Sequence, residues 1–224
     1  MKLSRIFGTA LLAVALAGNA IAAQNTAVTP RSSHQTSGDN QRTLSFKIAK
    51  EVIDGKVKYY DEQTHKITYF HDGAYDQQAL AEINRLLEDH EKNSEPDHGM
   101  DKGLMDLLYG LKTKEEARHP GLNVVFHVIS GYRSPETNAG LRTDPKNPFR
   151  ASVSKDSMHM RAKAIDIFVP EIPGEELRDT AWCMQKGGVG WYPQFKDMFP
   201  YRYIHVDTGR VRHWGFTPQT LKCP

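Results

Sequence analysis

Two histidines and one aspartate in the second half of the chain have side chains that together could bind a metal ion. His159 and Asp166 are seven residues apart, and His205 follows about forty residues later. Two imidazole nitrogens and one carboxylate oxygen, with a fourth position left for water, are a common ligand set for a catalytic zinc ion. These residues therefore form a candidate site for one zinc ion, provided that the fold brings them together.

Asp166 lies in a short apolar run, Ala164 to Val169, which is typical of a buried strand. Because side chains alternate along a strand, the carboxylate would lie on the face opposite Ile165. An ionised carboxylate in an apolar setting needs a metal ion or a charged partner. From spacing alone, a zinc ion and a salt bridge to Arg133 or Arg161 explain Asp166 equally well.

The last apolar segments predict a β-hairpin with strands at 203–206 and 211–214 and a turn at Thr208-Gly209. Alternation places Tyr203, His205 and Asp207 on one face, with neighbours about 6.8 Å apart, so His205 and Asp207 can serve one site. A two-residue turn would put Arg212 opposite His205. His213 would then lie on the other face, which disfavours it as a ligand.

Hydrophobic periodicity elsewhere predicts short antiparallel strands followed by helices and a central strand. The strands are expected at 44–48, 57–60, 67–70 and 124–129, and the helices at 76–91, 101–111, 135–142 and 174–184. Asp76 suits the N-cap of the first helix, and the leucine and methionine stripe of the second is interpreted as core. His127, in the central strand, is interpreted as a hydrogen-bonded core histidine.

The amino-terminal residues are typical of a secretory signal peptide rather than a retained anchor. Lys2 and Arg5 precede an apolar run at 6–17, and Ala20-Ile-Ala22 supplies small residues at cleavage spacing. The run is shorter than the ~20 residues that a membrane-spanning helix needs. We therefore expect a signal peptide at 1–23, a polar flexible linker at 24–42, a domain at 43–224 and a periplasmic location.

Charge and cysteine content narrow the possible partners. The chain has 29 basic and 27 acidic residues, and loss of Lys2 and Arg5 with the signal peptide would leave it neutral. A neutral chain without a basic run predicts no nucleic-acid partner. Cys183 and Cys223 could form a disulfide in an oxidising compartment or remain free, and neither lies in a close-spaced metal-binding motif.

Four motifs in this order closely resemble those of the YcbK-like murein endopeptidases. They are Ser130-Gly-Tyr-Arg133-Ser, Ser157-x-His159-x-x-Ala162-x-Ala164-x-Asp166, Gly187-Gly-Val-Gly190-x-Tyr192 and His205-Val-Asp207-Thr-Gly209-x-Val-Arg212-x-Trp214. These peptidases belong to the zinc D-Ala-D-Ala carboxypeptidase superfamily, which shares its fold with the hedgehog amino-terminal domain. The resemblance covers roughly 43–215 and implies an α+β fold with a central antiparallel sheet, flanking helices and one zinc site.

The resemblance also implies roles for individual residues. The two histidines and Asp166 would be the zinc ligands, and Arg133 would steady a carbonyl or carboxylate of the substrate. Many relatives have a glutamate three residues before the last histidine, where this chain has Arg202. Asp207 is then the candidate general base, or alternatively it orients a ligand histidine. Four further residues are possible lining residues of the site: Tyr132, Asn138, Ser157 and Tyr192.

One residue departs from the family pattern. The glycine that follows the first histidine in the family is Ala162 here. If that position has a positive φ, the alanine would strain the loop that holds His159.

The activity implied by the resemblance is that of an exported zinc metallopeptidase that hydrolyses amide bonds in peptidoglycan cross-links. The substrates would be peptidoglycan stem peptides. Two alternatives stay open: a D,D- or L,D-carboxypeptidase that trims stem peptides, and a non-catalytic, zinc-stabilised module that binds the cell wall. The sequence leaves open whether the cross-link joins D-Ala to diaminopimelate or two diaminopimelate residues, and it does not indicate an oligomeric state.

Overall fold

The computed structural model describes residues 40–53, 56–60, 62–145, 147, 150–192, 202–218 and 223. Its strands are β1 (Gln41–Ile53), β2 (Lys56–Tyr59), β3 (His65–His71), β4 (Ala74–Tyr75), β5 (Phe126–Ser130), β6 (Ala164–Phe168), β7 (Gly188–Trp191), β8 (Ile204–Asp207) and β9 (Arg212–Trp214). Its helices are α1 (Gln77–Leu86), α2 (Lys102–Arg118), α3 (Pro135–Thr143) and α4 (Gly174–Cys183), with 3-10 turns at Arg150–Ser152 and Met158–Arg161. The predicted α+β class is confirmed.

The described strands form one sheet in the order β4-β3-β1-β5-β6-β8-β7-β9, with β2 paired to β1. Most neighbours are antiparallel, but β1 and β5 are parallel, and so are β7 and β9. The sheet is therefore mixed, and the prediction of an antiparallel sheet was wrong at these two pairs. The likeness to the hedgehog fold stays a prediction.

The predicted carboxy-terminal hairpin does not form, because β7 lies between its two strands. β8 pairs with β6 and β7, whereas β9 pairs only with β7 among the described strands. Glycines make this insertion possible: a Cβ on Gly188 would lie 2.4 Å from Asp207 Oδ2, and one on Gly190 would lie 2.3 Å from the Trp214 ring. The expected pairing of Arg212 with His205 is therefore wrong, and Arg212 pairs with Gly188 instead.

The helices begin where the sequence predicts. The Asp76 side chain caps α1 by accepting from the backbone N–H groups of Gln78 and Ala79. The apolar stripe of α2 is buried in the core, as predicted, through Leu104, Met105, Leu108 and Leu111. α2 continues seven residues beyond its predicted end at Leu111, through a polar segment that contains the i, i+4 ion pair of Lys112 and Glu116.

Three sequence predictions concern the ends of the chain: the signal peptide, the linker and the possible disulfide. The predicted signal peptide at 1–23, and the linker as far as residue 39, lie outside the described residues. β1 begins at Gln41, so the last two residues of the predicted linker, Gln41 and Arg42, belong to the sheet. Cys183, at the end of α4, forms a disulfide with Cys223, which settles the alternative left open by the sequence. No helix in the described part of the chain is both long and apolar enough to cross a membrane.

His127 is a hydrogen-bonded histidine within the sheet, as predicted. The Tyr59 hydroxyl lies 2.6 Å from His127 Nδ1, and the Phe168 ring packs against the imidazole. Burial, with a smaller contribution from the charge of Lys47, lowers the pKa of His127 to about 4. The imidazole is therefore neutral at physiological pH, and its Nδ1 shares a hydrogen bond with the Tyr59 hydroxyl.

This neutral histidine predicts a loss of stability in acid. The unfolded chain protonates His127 as the pH falls through its ordinary pKa of 6.5, whereas the folded chain resists protonation until about pH 4. The free energy of unfolding is therefore unaffected by protonation of His127 above pH 6.5. It decreases as the pH falls from 6.5 towards 4, by at most about 3 kcal/mol. Urea unfolding of wild type and His127→Gln between pH 4 and 7 should show a shallower pH dependence in the variant. Equal slopes would contradict this assignment.

Candidate metal centre

The three candidate ligands meet at the middle of the sheet. Asp166 on β6 is the register partner of His205 on β8, so their side chains lie side by side. His159 reaches them from the 3-10 turn at Met158–Arg161. All three residues are buried, with exposed fractions of 3% for His159, 9% for Asp166 and 6% for His205. Two neighbouring strands and one preceding turn thus bring together residues that are far apart in sequence.

The distances between the ligand atoms suit one small cation. His159 Nε2 lies 3.2 Å from His205 Nδ1 and 3.3 Å from Asp166 Oδ2, and His205 Nδ1 lies 3.0 Å from Asp166 Oδ1. Ligand atoms at zinc–nitrogen distances of about 2.0–2.1 Å in a tetrahedral arrangement would be about 3.3 Å apart. The spacing therefore matches the separation expected of ligands to one zinc ion.

The outer nitrogen of each histidine has an acceptor of its own. His159 Nδ1 lies 2.7 Å from the Gly131 carbonyl oxygen, and His205 Nε2 lies 3.0 Å from Asp207 Oδ2. Each outer nitrogen therefore carries a proton and donates it, which leaves a lone pair on the inner nitrogen of a neutral ring. Two lone pairs and a carboxylate then face each other, and a cation between them satisfies all three. The donor set thus fits a zinc ion.

Electrostatics favour a neutral His159 beside an ionised Asp166. Burial lowers the pKa of the His159 imidazole. Burial alone would raise the pKa of Asp166, but the two histidines outweigh it and hold that pKa well below its usual range. For His205, burial is outweighed by the hydrogen bonds to Asp166 and Asp207, so its pKa is raised. A cation at this site would therefore compete with a proton for His205.

The rival explanation of Asp166 as a salt-bridge residue receives little support. Arg133 Nη2 lies 3.7 Å from Asp166 Oδ2, beyond hydrogen-bonding distance, and donates instead to the Ser130 hydroxyl at 3.1 Å. The two histidines are closer to the carboxylate than Arg133 is. Arg133 therefore adds positive potential at the edge of the site without occupying the carboxylate.

Asp207 is fully buried, and several donors already occupy its carboxylate. Oδ1 accepts from the backbone N–H groups of Gly188 and Gly209 and from Arg212 Nη1, at 3.1, 2.7 and 3.0 Å. Oδ2 accepts from His205 Nε2 at 3.0 Å and from Arg212 Nη2 at 2.7 Å. Burial acts to raise the pKa of Asp207, but His205 and Arg212 hold it below its usual range. These contacts disfavour the predicted role of general base and favour the alternative, orientation of His205.

The turn that carries His159 has a strained residue at its end. Ala162 adopts φ 54° and ψ 31°, in the left-handed region. Its N–H donates to the His159 carbonyl at 3.1 Å, and its own carbonyl accepts from the Asp101 N–H at 2.9 Å. The Ser157 hydroxyl caps the start of the same turn by accepting from the His159 N–H. The positive φ that the family glycine suggested is therefore present, and an alanine occupies it.

Replacing Ala162 by glycine is expected to stabilise the protein slightly. A left-handed conformation costs an L-residue roughly 1–2 kcal/mol, whereas loss of the buried methyl group costs about 0.8 kcal/mol. Urea unfolding should therefore show a gain of up to about 1 kcal/mol for Ala162→Gly. Ala164→Gly, in extended strand β6, is the matched control and should destabilise the protein. Equal losses in both variants would show that the strain is negligible.

A cavity of about 540 Å³ opens over the three ligands. Of the predicted lining residues, Tyr132, Ser157 and Tyr192 line it, and so does Arg133. Asn138 is not among its described lining residues: its side chain is buried in α3, and its Nδ2 donates to the Ser154 carbonyl at 3.0 Å. Contact of Asn138 with substrate therefore stays a prediction, and its observed contact supports the loop that holds Ser154.

Sequence reasoning missed two aromatic residues at the site. Tyr203 stacks on Tyr192 with ring centroids 5.1 Å apart, and the Trp214 ring lies 5.0 Å from that of His205. Both line the cavity. Strand alternation had placed Tyr203 on the face of His205, so its position could have been predicted. The position of Trp214 at the site results from the pairing of β9 with β7, which the sequence did not predict. His213, in contrast, is exposed and packs against Trp182, away from the ligands, as predicted.

The fold and the side chains define an α+β protein whose central sheet carries a buried cluster of two histidines and one aspartate that could hold a metal ion. Residues 49–214 match the family model described as "Peptidoglycan L,D-endopeptidase MepK". The chain therefore belongs to this peptidase family, which confirms the resemblance to murein endopeptidases.

Individual relatives agree with the family match. The chain is 34% identical over 149 residues to the peptidoglycan L,D-endopeptidase MepK of Escherichia coli (strain K12), covering 66% of this chain and 72% of the relative. It is 35% identical over 135 residues to the probable peptidoglycan L,D-endopeptidase MepK of Haemophilus influenzae, covering 60% of this chain and 63% of the relative. No solved structure gives a significant match.

Proposed function

We propose that this protein is an exported zinc peptidase that hydrolyses amide bonds in the peptide cross-links of peptidoglycan. The observation that carries the proposal is the buried convergence of His159, Asp166 and His205 beneath an open cavity. The family match supplies the substrate class. A periplasmic location follows from that substrate and from the predicted signal peptide.

The three convergent side chains, which line the cavity, would hold the zinc ion. A bound zinc ion lowers the pKa of a water ligand towards about 7 and polarises a carbonyl oxygen. The chain contributes the Gly131 carbonyl and Asp207 as acceptors for the outer ring protons, which leaves His159 Nε2 and His205 Nδ1 as the nitrogens that face the ion. The ligands are thus oriented before the substrate arrives.

Arg133 is the residue that we assign to substrate binding by charge. It is partly buried, and it lies beside Asp166 at the cavity wall without a direct hydrogen bond to that carboxylate. Its guanidinium group can donate to a carbonyl or carboxylate oxygen of a stem peptide. Tyr132, Tyr192 and Tyr203 line the same cavity and restrict the positions that a peptide backbone can take.

The relatives are named L,D-endopeptidases, so we propose that the bond cut joins an L-centre to a D-centre. Of the two cross-links considered above, the link between two diaminopimelate residues has this stereochemistry. The link from D-alanine to diaminopimelate joins two D-centres instead. The substrate class proposed here is therefore the muropeptide dimer with a diaminopimelate–diaminopimelate bond.

Digestion of defined muropeptide dimers tests this proposal. Purified protein should convert dimers joined through two diaminopimelate residues to monomers, and it should leave dimers joined through D-alanine intact. Chelation should stop the reaction, and added zinc should restore it. Product masses would reveal a carboxypeptidase by loss of a single alanine without loss of the cross-link. Intact dimers at full zinc occupancy would rule out the endopeptidase and leave a binding module.

A further inference from the structure

A second group of possible metal ligands lies where α2 ends and α4 begins, outside the candidate metal centre. Glu115 is in the last turn of α2, His119 is its C-cap residue, and Glu176 is in the first turn of α4. One ligand atom from each residue lies within 4.8 Å of the others. The motifs and the proposed peptidase mechanism do not use any of the three.

Glu115 is the unusual member of this group. Its side chain is 0% exposed, and neither carboxylate oxygen accepts a hydrogen bond. Arg118 Nη1 and His119 Nε2 each approach only to 3.8 Å, and Arg118 donates to the Thr180 hydroxyl instead. A buried carboxylate without close partners is costly when ionised. Burial raises the pKa of Glu115, and the charges of Arg118 and His119 oppose that rise only in part.

The other two residues connect the buried carboxylate to solution. The side chains of His119 and Glu176 are 35% and 31% exposed. His119 Nε2 lies 2.7 Å from Glu176 Oε1 and 3.8 Å from Glu115 Oε2. Those distances lie on either side of the roughly 3.3 Å expected between two ligands of a tetrahedral zinc ion. Binding of an ion would therefore lengthen the first distance and shorten the second, and the ion could enter from the exposed side.

We propose that Glu115, His119 and Glu176 form a second site for one zinc ion, with a structural role at the junction of α2 and α4. One imidazole and two carboxylates form a ligand set that zinc accepts. The ion would supply the buried Glu115 carboxylate with the close positive partner that it lacks. It would also fasten α2 to the start of α4, whose buried face packs against β7 and β8 of the sheet. The site is independent of the proposed peptidase activity.

The second site is tested by measuring the zinc content of variants in which one of two neighbouring glutamates is replaced. Zinc retained after gel filtration in metal-free buffer should amount to two ions per chain in the wild-type protein and one in Glu176→Gln. The matched control is Glu175→Gln, which removes the adjacent carboxylate, paired with Arg202 in the structure, and should keep both ions. His205→Ala should keep one ion, and the double variant His205→Ala/Glu176→Gln should keep none.

Thermal unfolding distinguishes two explanations of the buried Glu115 side chain. It is either a zinc ligand or a protonated glutamate that binds no metal ion. Zinc should raise the Tm of His205→Ala through the second site, and adding Glu115→Gln should abolish that rise. In metal-free protein, Glu115→Gln should itself raise the Tm, because it removes a buried charge at nearly constant shape. One retained ion in the wild type, two in Glu176→Gln, or no zinc-dependent rise in folded His205→Ala would each overturn the proposal.

Discussion

His205→Ala is expected to remove most of the peptidase activity and to lower the zinc content by one ion per chain. The substitution removes Nδ1, which lies 3.2 Å from His159 Nε2 and 3.0 Å from Asp166 Oδ1, so two ligands would remain. Stabilisation of transition-state charge by a metal ion is worth several kcal/mol, and its loss should lower kcat/KM on the order of 10³-fold. Hydrolysis of a muropeptide dimer and metal analysis on the same sample measure both effects.

His213→Ala is the matched control for this prediction. His213 lies on β9, exposed to solvent, and its Nδ1 contacts the Phe216 carbonyl oxygen at 3.1 Å. Its removal should leave zinc content and kcat/KM close to those of the wild type. Because a metal ion that binds only the folded state adds to stability, zinc should also raise the Tm of His213→Ala more than that of His205→Ala. Full activity in His205→Ala would show that the ligand assignment is wrong.

The strand positions of two candidate ligands could be predicted because they depend on local alternation, whereas their role as zinc ligands stays a prediction. Asp166 stands on a short strand whose alternation and apolar neighbours indicate burial, and the structure places it 9% exposed. His205 and Asp207 follow the same period of two, and their side chains meet at 3.0 Å. His159 was a candidate by residue type and spacing, and the motif resemblance supported it, but periodicity alone could not place it beside a strand. The 3-10 turn that carries His159 is only four residues long, which is too short to show a hydrophobic period in the sequence.

The order of the strands was not predictable from the same patterns. The patterns predicted no strand at the glycine-rich motif, whereas Gly188 and Gly190 lie within β7, which separates β8 from β9. The strand can lie there because the two glycines have no side chains where Asp207, Arg212 and Trp214 contact the backbone closely. Such close approach becomes visible only when the long-range neighbours are known. This pairing also positions Arg212 at Asp207, and Trp214 beside His205.

The role of Asp207 leads to the second large prediction, which concerns Asp207→Asn. If Asp207 orients His205, the amide replaces a carboxylate acceptor of the Nε2 proton and leaves Arg212 without its charged partner. Zinc affinity should then fall about 10–100-fold, and activity should return largely when zinc is in excess. Zinc titration of the metal-free variant, followed by assays at saturating zinc, measures both quantities.

A general base would give the opposite pattern in the same experiment. Asp207→Asn would then bind zinc as tightly as the wild type, yet remain inactive at full occupancy, because the proton acceptor is lost. Arg212→Lys separates the two roles further, since it keeps a cation beside Asp207 but breaks the paired contacts at 3.0 and 2.7 Å. Under the orienting role, this variant should show a smaller loss of zinc affinity in the same direction. If zinc affinity is unchanged in both variants and activity is lost only in Asp207→Asn, Asp207 acts as the general base.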